Sequence, residues 1–448
     1  MVATIKVTPV QAFAHAGYRL LVLALTPAML VRLWLKGGAY RLHWAERLWG
    51  RVPQALRTKT NEARTRPLLW LHAVSVGETQ AAYPLLKAWL TNTPDGQILL
   101  THTTPTGRQT GARLFSEELN ESVFQSYLPY DLPWALSRFL KQTRPSLGLL
   151  METELWPELL LQAERLGVPV ALINGRLSER SARQMRRFAW LAQPALNRLR
   201  LILVQAEEHR QRFAALTQST DSIHRTGSLK FDLTPSETLI QQGQSWRRSL
   251  EGPLDEQAHP LSVVLLASSR DDEEIAFLAS WKRHAPSQVR LVLVPRHPER
   301  FDRVVQLAGD AGFSVGRRSQ GEPDQGAEVW VGDSLGEMQA YIAMSDLVVM
   351  GGSLLPLGGQ NPIEACAQGR PVMFGPHMFN FPEVSRQLVE SGAGAEVADA
   401  DAAVRLALEW ASQLSERARR GDAARQYADQ HRGATDRSLT ALREAGLL

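Results

Sequence analysis

Short apolar runs alternate with amphipathic helical patterns along the chain from Pro67 onward. The runs are rich in Leu, Val and Ile and end in Gly, Pro or polar residues, which is typical of buried strands. Strands that alternate with helices predict a parallel sheet covered by helices on both faces. In the first half of the chain the predicted strands are 68–73, 97–103, 122–128, 147–151, 168–173 and 201–205.

The alternation pauses at a polar stretch that contains Pro235 and then resumes, with strands predicted at 262–267, 288–294, 328–331, 347–350 and 371–374. A chain of 448 residues exceeds one ordinary core. The pattern therefore predicts an α/β protein with two doubly wound domains that face each other across a cleft. The predicted segments are an N-terminal domain 41–233, a linker 234–238, a C-terminal domain 239–430 and a last helix within 431–448.

The N-terminal segment 1–40 has a different character. Residues 20–31 carry no charge, Arg19 and Arg32 flank them, and many basic residues follow against only Glu46 and Glu62: Lys36, Arg41, Arg47, Arg51, Arg57, Lys59, Arg64 and Arg66. The order of charges is wrong for a signal peptide. We expect a membrane-associated helix, either spanning or lying on an anionic membrane surface. A buried core helix is the alternative.

The composition of the chain bears on whether it contains disulfides, metals or cofactors. Hydrophobic residues make up 44% and charged residues 21%, and the formal net charge is +4. The single cysteine, Cys366, excludes an internal disulfide and is best suited to helix packing. One Cys without a close His pair argues against zinc, and neither a metal nor a cofactor is expected.

The segment 346–381 predicts a ligand-binding turn. A buried strand is followed by the glycine pairs at 351–352 and 358–359, which allow the backbone to approach a ligand closely. Asn361 is predicted to cap a helix, with Pro362 at its first position and Glu364 in its first turn. Helix N-termini attract anions, and a carboxylate there accepts hydrogen bonds from sugar hydroxyls. A tight turn without a ligand is the alternative.

Carboxylates and a lysine follow other predicted strands. Glu78 follows the first strand, and Glu152 and Glu154 follow the strand 147–151. Two distant strands that both end in Glu suit general-base and charge-stabilising work, although helix capping is the simpler role for each. Which of Glu152 and Glu154 serves the site is left open by the pattern. Lys230 lies between apolar residues and either extends to solvent or supplies positive charge.

In the second half, Pro295 and Arg296 follow a strand, and Arg296 suits phosphate contact. Ser334 is predicted to cap a helix that leaves the amides of Leu335, Gly336 and Glu337 free for a nucleotide. The sequence contains neither GxxxxGK[ST] nor a GxGxxG after the first strand, and no DxD-type acidic pair stands out as a metal anchor. These absences disfavour a P-loop NTPase, a dinucleotide dehydrogenase and a metal-anchored diphosphate.

Taken together, eight strings closely resemble the Kdo transferases: LHAVSVGET, METELWPELL, NGRLSERS, TGSLKFD, VPRHPERF, VGDSLGEM, GGSLLPLGGQNPIEA and FGPHMFNF. The resemblance runs from the N-terminal apolar segment to at least Phe381. It implies the GT-B architecture and a membrane-associated glycosyltransferase. The implied reaction moves 3-deoxy-D-manno-octulosonic acid (Kdo) from CMP-Kdo to the lipid A precursor, lipid IVA, in lipopolysaccharide biosynthesis.

The resemblance also assigns residues to roles. It implies that Glu78 accepts the proton, that Glu152 and Lys230 stabilise the transition state, and that the CMP contacts are Pro295, Arg296, Leu335, Gly336, Glu337, Asn361, Pro362, Ile363 and Glu364. The implied partners are CMP-Kdo, lipid IVA and anionic lipids at the cytoplasmic face of the inner membrane, and no nucleic acid is expected.

The sequence departs from the family in the glycine-rich loop, where Gln360 replaces a frequent His and Leu357 also differs. This chain has NGRLS where family members more commonly have NARLS. It has SSRDDEE where a variant that contains Thr-His is frequent in the family. Two alternatives are a GT-B transferase for a UDP-sugar with a lipid-linked acceptor, and a membrane nucleotide-sugar binding protein without catalysis. An oxidoreductase is more distant.

Overall fold

The computed structural model describes residues 9–57, 66–251, 261–286, 288–323 and 325–448, with side chains from His15 onward. Part of the predicted N-terminal segment, residues 1–8, and the basic residues Lys59 and Arg64 lie outside this range. The chain divides into two compact units. The first comprises Met1–Leu233 and Arg432–Leu448, and the second comprises Thr234–His431.

The first unit is built around one parallel sheet of seven strands in the order β3-β2-β1-β4-β5-β6-β7. Its elements are α1 Pro9–Lys36, α2 Trp44–Trp49, β1 Leu68–His72, α3 Val76–Asn92, β2 Gln97–His102, α4 Pro105–Leu114, β3 Val123–Tyr127, α5 Pro133–Thr143, β4 Leu147–Met151, α6 Pro157–Arg165, β5 Val170–Gly175, α7 Glu179–Arg187, α8 Ala189–Leu196, β6 Leu201–Val204, α9 Glu207–Ala214 and β7 Ile223–Arg225.

The six predicted strands of this unit are confirmed within one or two residues at each end. All residues of β1 and β4 are buried, because helices cover both faces of the sheet. The edge strand β7 was missed, since its three residues include the exposed His224 and Arg225 and form no apolar run.

The second unit contains a second parallel sheet of seven strands, in the order β10-β11-β9-β8-β12-β13-β14. Its elements are α10 Glu237–Glu251, β8 Ser262–Ser269, α11 Glu273–His284, β9 Val289–Pro295, α12 Phe301–Asp310, β10 Val315–Arg317, β11 Val329–Val331, α13 Met338–Met344, β12 Leu347–Met350, α14 Ile363–Ala367, β13 Val372–Phe374, α15 Pro382–Glu390, β14 Gly394–Glu396, α16 Ala400–Ser412 and α17 Leu414–His431. The last helix, α18, spans Ala434–Glu444 and belongs to the first unit.

The five predicted strands of the second unit are confirmed, and so is the fold class of two doubly wound parallel sheets. The short edge strands β10 and β14 were missed, since each has three residues, one of them glycine. Helix α10 begins at Glu237, inside the predicted linker 234–238. Cys366 is buried in α14, and burial raises the pKa of its thiol to about 12, as expected for a packing residue.

Each sheet has one point where the strand order changes direction. In the first unit this point lies between β1 and β4, and in the second it lies between β8 and β12. Open α/β sheets bind ligands beyond the carboxyl ends of the strands at such a point. The loops after these four strands are therefore the first places to look for a site.

Helix α1 is docked on the first unit through polar contacts at one end. Arg19 donates to both carboxylate oxygens of buried Glu158, at 2.7 and 2.9 Å, and His15 Nε2 lies 2.7 Å from the same carboxylate. Tyr18 donates to Asp131 at 2.6 Å. Although burial opposes ionisation, hydrogen bonds from His15, Arg19 and Gln162 lower the pKa of Glu158 to about 2.

Helix α18 completes the core of the first unit, although it follows the second unit in sequence. Ala434, Leu439 and Leu442 are buried in the same apolar cluster as β1 and α3. Asp232 accepts hydrogen bonds from the backbone N–H groups of Gly433, at 2.6 Å, and Thr435, and so caps the start of this helix.

Candidate active site

Glu78 lies at the start of α3, directly beyond the carboxyl end of β1. Ser75 caps the helix and accepts a hydrogen bond from the Glu78 N–H at 3.3 Å. The Glu78 carboxylate in return accepts from the Val74 N–H and the Ser75 hydroxyl, both at 2.9 Å. This pattern resembles a capping box, except that the carboxylate accepts from the N–H of the residue before the cap, and it gives Glu78 the predicted capping role. It also holds the carboxylate in one position beside the sheet.

The pKa of Glu78 is strongly raised. Burial raises its pKa to about 7, with further raising by the charges of Glu152 and Glu154, while the Val74 and Ser75 hydrogen bonds act in the opposite direction. A carboxyl group with this pKa is ionised for part of the population at neutral pH and binds a proton more readily than an ordinary glutamate. These are the properties that a general base needs.

Glu152 follows β4 and has an unusual backbone. Its φ angle of 55° lies in the left-handed region, which a residue with a side chain rarely adopts. The turn is held by its own N–H, which donates to Ile173 O at 3.0 Å, and by the Arg176 N–H, which donates to Glu152 O at 3.3 Å. This conformation breaks the strand alternation, so Glu152 and Glu154 need not share a face.

The two carboxylates that the pattern left unresolved have different partners. Lys230 Nζ donates to Glu152 Oε1 at 2.9 Å, and the exposed fractions of the two side chains are only 17% and 19%. Glu154 accepts from the Trp156 indole N–H at 2.6 Å, and burial raises its pKa. The structure thus brings Glu78, Glu152, Glu154 and Lys230 into one electrostatic group from three distant parts of the chain.

Lys230 is positioned by a short 3₁₀ helix, Leu229–Asp232. The Leu229 N–H donates to Asn174 Oδ1 at 3.0 Å, and Asp232 is bonded to the start of α18. Asn174 is itself buried at the end of β5, with a left-handed φ of 52°. Sequence reasoning missed this role of Asn174; an Asn next to Gly175 at a strand end was the available signal.

Two buried histidines end the strands β1 and β2, and His102 Nδ1 lies 3.3 Å from Ala73 O, in the segment that leads to Glu78. His72 ends β1 and His102 ends β2, and both are fully buried. Burial lowers the pKa of His72 to about 4 and that of His102 to about 3. Both rings are therefore neutral at physiological pH, and Glu78 is the member of this neighbourhood that titrates near pH 7.

In the second unit, Pro295 ends β9 and Arg296 follows with an exposed side chain. The Arg296 N–H donates to Ser269 O at 3.0 Å, which holds this loop against the end of β8. Burial raises the pKa of half-buried Glu364, and the charge of Arg296 opposes that shift. Arg296 and Glu364, predicted from separate motifs, therefore lie within electrostatic reach of each other.

The helix after the glycine-rich loop begins one residue later than predicted. Helix α14 starts at Ile363, so Pro362 precedes it instead of occupying its first position. Asn361 Oδ1 accepts from the Ile363 N–H at 3.1 Å, which keeps the predicted capping contact.

The predicted cap at Ser334 is wrong. Helix α13 begins only at Met338, and the Ser334 hydroxyl bonds to the Tyr341 hydroxyl at 2.7 Å instead. Leu335 is 68% exposed and Gly336 has a left-handed φ of 87°. The Glu337 carboxylate bonds to Arg318 at 3.0 and 3.1 Å. Glu337 O also accepts hydrogen bonds from the N–H groups of Ala340, at 2.9 Å, and Tyr341, at 3.2 Å, at the start of α13.

Sequence reasoning also missed two buried acids, Glu273 and Glu274, at the start of α11. The Glu273 carboxylate accepts from the N–H groups of Gly352 at 2.6 Å, Leu354 at 3.0 Å and Leu355 at 3.3 Å. It also accepts from the Arg270 N–H at 3.0 Å. One side chain after β8 therefore holds the glycine-rich loop that follows β12.

Glu274 connects a third loop to this group. It accepts from the Ser269 hydroxyl at 2.6 Å and from Arg300 at 2.9 Å. Arg300 belongs to the same loop as Pro295 and Arg296. The adjacent acids therefore fix the loops after β8, β9 and β12 relative to one another. The only sequence signal was the run of four acids in SSRDDEE.

Comparison with known proteins places these features in a family context. Residues 43–233 match the family model described as 3-deoxy-D-manno-octulosonic-acid transferase (kdotransferase). A 3-deoxy-D-manno-octulosonic acid transferase of Bordetella pertussis is 42% identical over 391 residues, which cover 84% of this chain and 87% of that protein. The Haemophilus influenzae transferase of the same name is 36% identical over 382 residues, covering 84% and 86%.

Among solved structures, the UDP-GlcNAc 2-epimerase of Neisseria meningitidis, bound to UDP-GlcNAc, matches with a TM-score of 0.57. It is 12% identical and covers 84% of this chain and 100% of its own. This similarity concerns the fold alone, and it confirms the GT-B fold class.

Proposed function

We propose that this chain, which belongs to the 3-deoxy-D-manno-octulosonic acid (Kdo) transferase family, moves Kdo from CMP-Kdo to the lipid A precursor lipid IVA in lipopolysaccharide biosynthesis. The observation that carries the proposal is the position of Glu78. A carboxyl group with a pKa of about 7 stands at the switch point of the first sheet, beside the Glu152–Lys230 pair.

In the proposed reaction, Glu78 takes the proton from a glucosamine hydroxyl of the acceptor. The hydroxyl oxygen forms a bond to the anomeric carbon of Kdo, and the bond from that carbon to the CMP phosphate oxygen breaks. Attack and departure occur on opposite faces, so the anomeric configuration inverts. The proton remains on Glu78 until solvent removes it, and CMP leaves with the bonding electrons.

The Glu152–Lys230 pair supplies charge of both signs. Positive charge develops on the sugar ring in such transfers while negative charge grows on the leaving phosphate. We assign Glu152 to stabilise the positive charge on the sugar ring and Lys230 to stabilise the negative charge on the leaving phosphate. The contact of 2.9 Å between them orients both groups before the substrates bind.

The donor is assigned to the loops at the switch point of the second sheet. Arg296 is suited to the CMP phosphate, and Asn361 through Glu364 to the nucleotide at the end of the glycine-rich loop. The half-buried Glu364 accepts hydrogen bonds from the hydroxyl groups of the ribose, and Pro295 and the backbone of Leu335–Glu337 complete the cytidine site. A monophosphate leaving group carries less charge than a diphosphate, so no metal is invoked.

We assign the protein to the cytoplasmic face of the inner membrane. Within the described residues one helix, α1, is long and apolar enough to cross a membrane. Its Val22, Leu30 and Leu33 pack on the first unit, while Leu20, Leu21 and Leu35 are more than half exposed. A helix bound along one side to a polar domain fits a position in the membrane surface better than a span across it.

Mass spectrometry of the products tests the proposal. Incubation with CMP-Kdo and tetraacylated lipid A precursor is expected to add Kdo to the lipid and release CMP. The Glu78→Gln variant is expected to bind CMP like the wild type but to transfer sugar far more slowly, because the base is lost and the donor site is untouched. If the protein released UDP from a UDP-sugar and left CMP-Kdo intact, the donor would be a UDP-sugar and not CMP-Kdo.

A further inference from the structure

An apolar groove lies between the second half of α1 and the helix α2. It has a volume of about 410 Å³ and is lined by Leu30, Val31, Trp34, Trp44 and Leu48. This volume falls within the range of roughly 300–1,000 Å³ that is usual for small-molecule sites. No residue of the predicted active site lines it.

The walls of the groove are held apart by packing beneath them. Leu30, Leu33 and Leu48 pack on the buried Tyr130, Leu132 and Ala135, which keeps α1 and α2 on the same support. Val31 and Trp34 face outward and are 58% and 57% exposed. The groove is therefore preformed and open, and an apolar chain entering it would remove these side chains from water.

The segment that forms the groove is rich in basic residues, of which Arg32, Lys36 and Arg41 are exposed. From residue 9 to residue 57 the only acid is Glu46, against seven basic residues, Arg19, Arg32, Lys36, Arg41, Arg47, Arg51 and Arg57. Glu46 is already bonded to Arg108 and to the Tyr127 N–H. Arg41 lies over the ring of Trp34, 4.6 Å from its centre, and donates to Trp34 O. An apolar slot with Arg41 at its border, on a basic segment, fits an acylated, phosphorylated molecule.

Helix α2 connects the groove to the proposed base. Its Arg47 donates to Thr103 O, at the carboxyl end of β2, at 3.1 Å. The neighbouring Thr104 hydroxyl donates to Val74 O at 3.0 Å, and the Val74 N–H donates to Glu78 at 2.9 Å. A molecule held by its chain in the groove thus lies on the same edge of the sheet as Glu78.

We propose that this groove binds an acyl chain of the lipid acceptor and so presents the glucosamine end of that acceptor to Glu78. The inference rests on the proposed function and extends it with an acceptor subsite. The occupant is the acceptor, not bulk membrane lipid, because α2 forms one wall and is bonded to the strand ends that carry the base.

Two substitutions on the same helix test this subsite. Val31→Glu places a charge inside the groove, whereas Leu35→Glu places the same charge on a 70% exposed residue of α1 that does not line it. Transfer is measured in detergent with tetraacylated acceptor and with the same acceptor after removal of its acyl chains. Binding to vesicles of anionic phospholipid is measured in parallel, and thermal unfolding checks that both variants fold.

The Val31→Glu variant is expected to raise KM for the acylated acceptor by about tenfold or more over Leu35→Glu, since two lost methylene contacts already suffice for that factor. The two variants should have similar KM values for the deacylated acceptor and should bind vesicles equally well. Equal KM values for the acylated acceptor would overturn the subsite and assign the groove to general membrane contact. If the wild type transfers no Kdo to any acceptor, the proposed function itself fails.

Discussion

Among the individual residues, Glu78 combines two roles that usually conflict. It caps α3 through Val74 and Ser75, and the partial positive charge at a helix start favours its ionised form. Burial and the nearby Glu152 and Glu154 charges outweigh this effect and raise the pKa to about 7. The capping contacts fix the position of the carboxylate, while its surroundings set its proton affinity.

The pH dependence of turnover follows from this shift. Because the base works only when ionised, kcat/KM should fall as pH drops through about 7, with a slope of one. Glu78→Gln should lower turnover by about 10²- to 10⁴-fold and abolish this acid limb. A wild-type profile that stays flat from pH 5 to 8 would contradict the assignment.

The same shift predicts a stability effect that needs no substrate. The folded-state pKa of Glu78 lies above that of the unfolded chain, so its contribution to stability is full below pH 4.5 and is lost as pH rises through about 7. Gln has no proton to lose. The unfolding temperature of Glu78→Gln should therefore rise relative to the wild type between pH 5 and pH 8.

Substitutions of Lys230 and Glu152 should shift the acid limb of the pH profile in opposite directions. Lys230→Ala leaves the negative charge of Glu152 uncompensated, which should raise the pKa of Glu78 and shift the limb to higher pH. Glu152→Gln removes one of the charges that raise this pKa, so the limb should shift to lower pH. Both variants should also be slower. An unchanged rate in Lys230→Ala would remove this lysine from the transition state.

Among the structural elements, the glycine-rich loop after β12 depends on an acid from another segment. Gly351 packs against β8, where an added Cβ would lie 2.5 Å from Ser268 O. Glu273 accepts hydrogen bonds from the loop N–H groups of Gly352, Leu354 and Leu355. The loop shape is thus set by α11 and β8 as much as by its own glycines.

Glu273→Gln should loosen this loop. A neutral amide accepts fewer hydrogen bonds and turns an N–H₂ group toward backbone donors, so a loss of about 1–3 kcal/mol in unfolding free energy is expected. Calorimetry should also show weaker CMP binding. Asp271→Asn, at an exposed neighbouring position, is the matched control and should change neither quantity. Normal CMP affinity in Glu273→Gln would separate the loop from the donor site.

For the whole molecule, the first unit is completed by the last residues of the chain. Helix α18 packs in its core, and Asp232 joins the 3₁₀ helix that carries Lys230 to the start of α18. The chain therefore passes through the second unit and returns before the first unit is complete. The position of Lys230 depends on this return.

The Asp232→Ala substitution tests whether the position of Lys230 depends on the contact with α18. Loss of the cap leaves the Gly433 and Thr435 N–H groups without this acceptor and should lower the unfolding free energy by about 0.5–2 kcal/mol. Turnover should fall as well, since Lys230 is two residues away. Asp436→Ala, at an exposed position in the first turn of α18, is the control for denaturant unfolding. Equal effects of the two variants would argue against a specific role of Asp232.

The amino-acid sequence by itself determined the two parallel sheets, most strand positions and the family, and it predicted Glu78, Arg296 and Glu364 as site residues. These follow from local hydrophobic periodicity and from short motifs, which are properties of neighbouring residues. It misplaced the helix start at Ser334, because a cap depends on which backbone groups the packed structure leaves unpaired. It also missed the edge strands, which lack an apolar run.

Only the tertiary structure decided which distant side chains meet. The Glu152–Lys230 contact, the hold of Glu273 on the loop after β12, and the return of α18 to the first unit each join residues far apart in sequence. Such contacts depend on the spatial order of strands, which no local pattern records. The physical reason is that burial and charge pairing act through space, whereas periodicity acts along the chain.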